Sequence, residues 1–351
     1  MAKLKTVLEV GTYETRLLTL ESVTSGEIRL KKCLSVNTPK DYVASTYIEL
    51  PIMDAVPVKN NIASLAKGAG ISNENILLMI PDHASISEML IAPPRYSKKE
   101  TEDAIREDLE PIMPLPYDNW HVVHRSLGNY EDDEITYIMA ILKNNLLEIG
   151  GIVQKTGLNP VAIDTNFLNV ANLIEDYLVS PDNKGKNICL VQLGHESTSI
   201  GVFKEGLLKT MQNRPVGAYD FTRQISRHFH VPEEDADNFK RNEIFFLPEF
   251  SPEQEVQYNY TVIKNVFSVL CREIFNTIEF YLTKYREFTI HEIIISGGGA
   301  NFENISVLLA ANLNTPVRRV CDLYQLYANG NAVGDAEKNS LAAACGCFCR
   351  E

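Results

Sequence analysis

Three glycine-bearing turns, each directly after an apolar run, carry the residues best suited to hold a phosphorylated ligand. They are Gly11-Thr12-Tyr13 after "TVLEV", Gly194-His195-Glu196-Ser197-Thr198 after "ICLVQL", and Gly297-Gly298-Gly299-Ala300 after "EIIIS". Successive backbone N–H groups at such turns form an anion nest without needing a helix. The hydroxyls of Thr12, Ser197 and Thr198 add donors. A triple glycine before a helix lets a flat ligand approach the backbone, and the helix N-terminus favours negative charge. Phosphoryl transfer adds a further demand, because it is positioning plus charge neutralisation by a metal. Glu9, just before the first turn, is a carboxylate placed for that task. Taken singly, each loop is an ordinary turn, since glycine is a common turn residue.

The elements around these turns repeat. Residues 7–37 read as an apolar strand ending in Gly11, a polar turn, a strand, a glycine-containing turn and a third strand. Residues 188–212 have the same order. Gly11 answers to Gly194, Thr12 to His195 and Thr15 to Thr198, an internal duplication carried by pattern and spacing. Two such turns facing each other would clamp a phosphate chain.

Other elements fall between and after the copies. "NILLMIP" and "PVAIDT" read as buried strands. Ser97 and Glu100 form a capping box opening a helix with Thr101, Ile105, Leu109 and Ile112 inside, stopped near Pro111. "HVVHRSL" and "ITYIMAIL" read as strands. "NNLLEIGGIVQKTG" reads as a helix ending at Gly157. Residues 84–159 thus run strand, helix, strand, strand, helix: a small α+β unit inserted between the copies. Phe221, Ile225 and Phe229 share one helical face, and the acidic "PEEDADNFK" follows. Residues 261–286 read as the longest helix, with Ile263, Val266, Phe267, Leu270, Ile274, Ile278 and Leu282 along its stripe.

A net charge of -13 argues against non-specific binding to nucleic acid or an anionic membrane and leaves room for a basic protein partner. No apolar run reaches the roughly 18 residues of a membrane-spanning helix, and the first residues lack a secretory signal's apolar core. The expectation is a cytoplasmic protein with seven reduced cysteines. Cys345, Cys347 and Cys349 alternate on an inferred helix, where they point to different faces and read as packing residues. His121, His124, His228 and His230 have no ligand-type partner at metal spacing and read as structural. The runs "KKETEDAIREDLE" and "NYEDDE" make the insert acidic, either a solvated face or a landing site for a basic peptide.

Together the loops, their order and the insert resemble the actin-like ATPase superfamily, an α/β fold of duplicated ribonuclease-H-like lobes, and within it the PilM family of type IV pilus assembly. The resemblance spans nearly the whole chain. "VLEVGTYETR" and "LVQLGHEST" match the two phosphate loops, "SGGGANFENI" the adenosine loop, "VAIDTNFLNVANLI" the connector, and "VPEEDADNFK" the segment by ribose and adenine. It implies subdomain IA at 1–83, 160–186 and 331–351, the insert 1C at 84–159, IIA at 187–217 and 276–330, and IIB at 218–275. Actin and sugar kinases lack the insert at that position. It implies ATP or ADP, with Mg²⁺ carried by the nucleotide, held by Gly11, Thr12, Tyr13, Arg16, Gly194, His195, Ser197, Thr198, Asp237, Lys240, Gly297, Gly298, Gly299 and Asn301.

Three positions depart from the family pattern. Its first-loop Asp is Glu9, its usual Lys is Arg16, and its second-loop Asp is Gln192. In this fold those carboxylates organise the Mg²⁺ shell and place the attacking water, so hydrolysis is expected to be slow or absent while binding persists. The resemblance further implies an adaptor at the inner face of the inner membrane. Its partner would be the cytoplasmic tail of a PilN-like membrane protein at the IA/1C cleft, alongside other pilus assembly proteins, with self-association left open. The alternative is an active FtsA-like ATPase that forms filaments. FtsA-type proteins end in an amphipathic membrane helix, which "AAACGCFCRE" does not match.

Overall fold

A computed structural model describes residues 5–44, 46–94, 97–242 and 254–349. Residues 243–253 of the expected subdomain IIB, and Arg350 and Glu351 of the closing segment, lie outside the described residues. The chain divides into two compact units. The first comprises Met1–Ser22, Arg29–Asn166 and Leu207–Gln212, the second Val23–Ile28, Phe167–Gly206 and Asn213–Glu351.

The elements in chain order begin with β1 (Thr6–Val10), β2 (Glu14–Thr24), β3 (Glu27–Asn37), α1 (Ala55–Ala69), β4 (Asn75–Ile80) and β5 (Ile86–Ala92). Next come α2 (Lys98–Leu109), β6 (Trp120–Tyr130), β7 (Asp133–Leu142), α3 (Lys143–Gln154) and β8 (Asn159–Thr165). There follow α4 (Asn166–Leu173), α5 (Glu175–Leu178), β9 (Asn187–Leu193), β10 (Thr198–Lys204), β11 (Leu207–Arg214), α6 (Ala218–Phe229) and α7 (Glu233–Asn242). The chain continues through α8 (Gln254–Tyr285), β12 (Glu292–Ser296), α9 (Ile305–Leu313), β13 (Val317–Arg319), β14 (Gln325–Ala328), β15 (Asn331–Ala332) and α10 (Asp335–Gly346).

The duplication holds at the level of register. In the first unit β1 pairs antiparallel with β2 and parallel with β4, which pairs parallel with β8. In the second, β9 pairs antiparallel with β10 and parallel with β12, which pairs parallel with β13. One offset of 183 residues carries Val10–Thr15 onto Leu193–Thr198, and Glu9–Arg16 onto Gln192–Ser199. Parallel strands covered on both faces read as continuous apolar runs, which is why "TVLEV", "ICLVQL" and "EIIIS" show no alternation. Leu8, Val10 and Leu17 pack with Val58, Ile62 and Leu65 of α1 and with Ile149, Ile152 and Val153 of α3.

Residues 84–159 carry the expected order of strand, helix, strand, strand and helix, within the first unit. Their antiparallel sheet runs β5-β7-β6, and α2 buries Ile105 and Leu109 with Met113, Trp120 and Ile138. Ile112 does not join them and is 47% exposed. The helix ends at Leu109, and the turn that follows Pro111 brings Met113 inward instead. The Ser97 box is complete: Glu100 N–H donates to Ser97 Oγ at 3.2 Å, and Ser97 N–H to Glu100 Oε2 at 3.0 Å. Replacing Ser97 with alanine should lower stability by about 1 kcal/mol. Urea denaturation monitored at Trp120 tests this.

The long helix α8 starts earlier than its apolar stripe, at Gln254. Ile263, Phe267, Leu270, Ile274 and Ile278 are buried, whereas Val266 and Leu282 are half-buried and Val262 and Tyr281 replace them inside. The closing α10 buries Cys345, and Cys347 just beyond it is buried too. Among the described residues, the metal-type grouping is Cys321, Asp322 and Asp335, which includes none of the closing cysteines. No helix among the described residues is long and apolar enough to cross a membrane.

Candidate functional site

The turns at Gly11 and Gly194 have one geometry. Gly11 N–H donates to the Glu14 carbonyl at 3.1 Å, and Gly194 N–H to the Ser197 carbonyl at 2.9 Å. A Cβ would sit 2.8 Å from Glu14 O at Gly11 and 2.9 Å from Ser197 O at Gly194, so both turns exclude a side chain by the same contact. Thr38 braces the first turn: its hydroxyl donates to the Gly11 carbonyl at 2.7 Å and its N–H to the Tyr13 carbonyl at 2.8 Å. Thr38 meets Thr15 at 2.9 Å. In the second turn the Thr198 hydroxyl is taken by the Val216 carbonyl at 2.5 Å, so this side chain braces the loop.

The first-loop carboxylate is already engaged. Glu9 and Arg16 face each other across β1 and β2 in direct register, and Arg16 Nη1 lies 3.0 Å from Glu9 Oε2. Glu14, two residues before Arg16 on the same strand face, accepts Nε at 3.0 Å and Nη2 at 2.6 Å. Three of the guanidinium's five N–H groups are therefore spent on two carboxylates. Burial alone would lower the Arg16 pKa, but the charges and hydrogen bonds of Glu9 and Glu14 outweigh it and hold the guanidinium protonated. At the equivalent position of the second unit, Gln192 is buried and faces Ser199 in place of an arginine. Its Oε1 has no hydrogen-bond partner, nor has the Oγ of Ser296, its neighbour in register on β12.

The rest of the second unit's site is built on α6 and α7. The first N–H groups of α6 are consumed by the loop: Ala218 donates to the Gly194 carbonyl at 2.9 Å and Tyr219 to His195 at 2.7 Å. His195 packs on the Tyr219 ring at 4.9 Å. Burial, reinforced by nearby Lys240, lowers its pKa to about 4, so the loop carries no histidine charge near neutrality. Lys240 lies inside, bound to Asp237 at 2.6 Å and Thr222 Oγ1 at 2.6 Å, with Nζ 5.5 Å from the Phe302 ring centre. Asp237 also takes Arg241 at 2.9 Å. Burial pushes the Asp237 carboxyl up, and Lys240 and Arg241 more than offset it, leaving it at about 2. Asp237 and Lys240 thus tie α7 to α6, set beneath the loop that bears Phe302.

The glycine triplet divides its labour. Gly297 has φ 90°, and a Cβ there would lie 2.3 Å from the Leu193 carbonyl and 3.2 Å from Gln192 Nε2. A Cβ on Gly299 would strike the Leu193 side chain at 2.3 Å. Gly298 alone is exposed, its nearest neighbour Ser340 Oγ at 3.9 Å. Gly297 and Gly299 let the loop lie on the end of β9, and Gly298 leaves the surface a flat ligand would approach. Asn301 is a strut: its amide nitrogen donates to the Ala336 carbonyl at 2.8 Å and Ser340 Oγ at 3.1 Å, and its oxygen accepts from Asn339 at 2.9 Å. Asn339 also accepts the Gly297 N–H at its carbonyl, at 3.1 Å.

A family model described as type IV pilus assembly protein PilM matches residues 8–350. The chain belongs to the PilM family. A solved PilM-PilN type IV pilus biogenesis complex contains a chain that matches it with TM-score 0.80 and 19% identity, covering 99% of this chain and 98% of that one. MreB5 of Spiroplasma citri bound to AMPPNP matches with TM-score 0.55 and 11% identity, covering 97% and 93%. The ethanolamine utilization protein EutJ of Carboxydothermus hydrogenoformans matches with TM-score 0.53 and 13% identity, covering 98% and 89%. These likenesses establish the actin-like ATPase fold. No curated protein matches the sequence.

Acid should lower the stability of this PilM-family chain across two pH windows. The folded-state pKa of His195 is depressed, so the unfolded chain takes its proton first. That contribution is full above about 6.5 and is lost as pH falls toward about 4. Asp237 is also depressed, and its contribution is lost between about 3.8 and about 2. In chemical denaturation at stepped pH, His195→Phe should flatten the first window and leave the second.

Proposed function

We propose that this chain is a nucleotide-holding adaptor of type IV pilus assembly, at the cytoplasmic face of the inner membrane, that does not turn nucleotide over at an enzymatic rate. The observation carrying this reading is the state of the two carboxylate positions. Glu9 is held by Arg16, and Gln192 has no charge and no basicity. Losing a positioned general base or acid costs about 10²–10⁴-fold in rate. The turns, the Gly298 surface and the hydroxyls of Thr12 and Ser197 retain what is needed to hold phosphates and a base. ADP or ATP then serves as a structural ligand, biasing the protein only through unequal affinity for its conformations.

The partner we propose is the N-terminal tail of a PilN-like membrane protein, docked where the first unit's core meets its insert. The family and the PilM-PilN structure support this partner. A loop at that junction supports the place. It is anchored by Asn145, which donates to the Tyr47 and Glu49 carbonyls at 3.3 and 2.7 Å, by His83 at 3.0 Å from the Ala44 carbonyl, and by the Tyr47–Trp120 contact at 6.0 Å. Yet it leaves Ile48, Leu50 and Met53 about half exposed beside Glu49. Clustered exposed apolar side chains mark interaction sites, and an extended tail orders on such a surface.

Titration of the full chain with the cognate tail peptide tests the proposal. Changing Ile48, Leu50 and Met53 together to serine should weaken binding by about tenfold or more with the fold intact. Unchanged binding would remove the docking surface, and no binding by the unaltered chain would remove the partner.

A further inference from the structure

Glu148 of α3 has one carboxylate oxygen, Oε2, that is enclosed by protein and has no hydrogen-bond partner. Given the reading above that a tail docks at Ile48, Leu50 and Met53, we infer that Glu148 receives a lysine or arginine side chain of that tail. The tail is then selected by charge as well as by its apolar residues.

Glu148 follows Asn145 by three residues in α3, a spacing that makes side chains neighbours on one helix, with Cβ atoms about 5–6 Å apart. Asn145 is the anchor that donates to the Tyr47 and Glu49 carbonyls. Glu148 therefore stands one helical turn from the loop that exposes Ile48, Leu50 and Met53. Glu148 is half-buried, so a partner can reach its side chain from the surface. Glu49, on the loop itself, accepts the Thr46 hydroxyl at 3.0 Å. Among the described residues, no cation lies within ion-pair distance of Glu148 or Glu49. Lys143, at the start of α3, spends its ammonium on the Asp118 carbonyl at 2.6 Å. His83, beside Glu49, is tied to the Ala44 carbonyl, and burial lowers its pKa, so it adds no charge near neutrality. An enclosed carboxylate oxygen without a partner is rare and costs stability. A cation brought by a partner removes that cost, through charge-assisted hydrogen bonds about twice as strong as neutral ones. Exposed apolar side chains beside uncompensated carboxylates select an extended segment with a basic side chain among apolar ones.

The probe is a synthetic peptide of the N-terminal tail of the PilN-like protein from the same organism, with its amine free or acetylated. Further acetylated peptides carry one lysine or arginine at a time changed to glutamine. Each is titrated into the full chain and into Glu148→Gln. The acetylated tail should bind Glu148→Gln about tenfold or more weakly than it binds the unaltered chain. One glutamine-bearing peptide should lose a similar factor on the unaltered chain and no more than about threefold further on Glu148→Gln. The urea midpoint of Glu148→Gln should not fall, because an amide is cheaper to enclose than an unpaired carboxylate. A lower midpoint would show that Glu148 has a partner within the chain and would overturn the inference. Equal affinity of the acetylated tail for both chains, or equal losses on Glu148→Gln for every peptide, would overturn it and leave the apolar docking surface standing. Binding by the free-amine tail and not by the acetylated one would assign Glu148 to the α-amino group and overturn it likewise. Absence of binding by both forms to the unaltered chain would overturn the inference and the docking reading together.

Discussion

Replacing Arg16 with alanine is expected to cost about 3–5 kcal/mol, the loss typical of removing one partner from a buried ion pair. The substitution strands two carboxylates. Glu9 is buried in the centre of β1, between β2 and β4, and water cannot resolve its charge without opening the sheet. Glu14 is partly exposed and recovers some solvation. The loss should therefore be traced mainly to Glu9. Adding Glu9→Gln to Arg16→Ala should restore most of the stability, because a neutral amide is cheaper to bury than an unpaired carboxylate. Urea midpoints for the two single variants and the double variant, with the denaturant slope unchanged, give the coupling directly. A single variant as stable as the parent would mean that Glu9 finds another cation.

Gly297 and Gly298 are adjacent and are expected to respond in opposite ways. Gly297→Ala places a Cβ at φ 90° and 2.3 Å from a backbone carbonyl of β9. The left-handed backbone costs about 1–2 kcal/mol for a non-glycine residue, and forcing the close contact adds about 1–3 kcal/mol. A Cβ at Gly298 meets no atom nearer than Ser340 Oγ at 3.9 Å, so Gly298→Val should lower the melting temperature far less than Gly297→Ala. If Gly298 is the surface a nucleotide approaches, the valine should weaken ADP binding by about tenfold or more. Thermal unfolding separates the pair on stability, and titration with ADP separates them on function.

Much of this architecture is readable from the sequence because the turns at Gly11 and Gly194 are local. Glycine at 11 and 194 and threonine at 15 and 198 fix both copies without reference to anything distant. Glu14 and Arg16 also share a strand face by the period of two, a signal that points to their pairing. What escapes the sequence depends on contacts across long stretches of chain. Thr38 braces the first turn from 27 residues away, and Asn301 reaches Ser340 across 39. Lys240 carries the marks of a ligand-binding side chain, but Thr222 and Asp237 enclose it only when α6 and α7 come together. Ile112 fits the helical stripe of α2, yet the helix ends one turn before it. Periodicity places residues on a face and cannot tell where that face stops.

A site that holds nucleotide without spending it should give back the ATP it is given. Incubating the full chain with ATP and Mg²⁺, then recovering the bound nucleotide and measuring released phosphate, tests it most directly. ATP should be recovered intact, with turnover far below about 1 s⁻¹, the low end of ordinary enzymes. Sustained phosphate release above about 1 s⁻¹ would contradict it and favour an active actin-like ATPase.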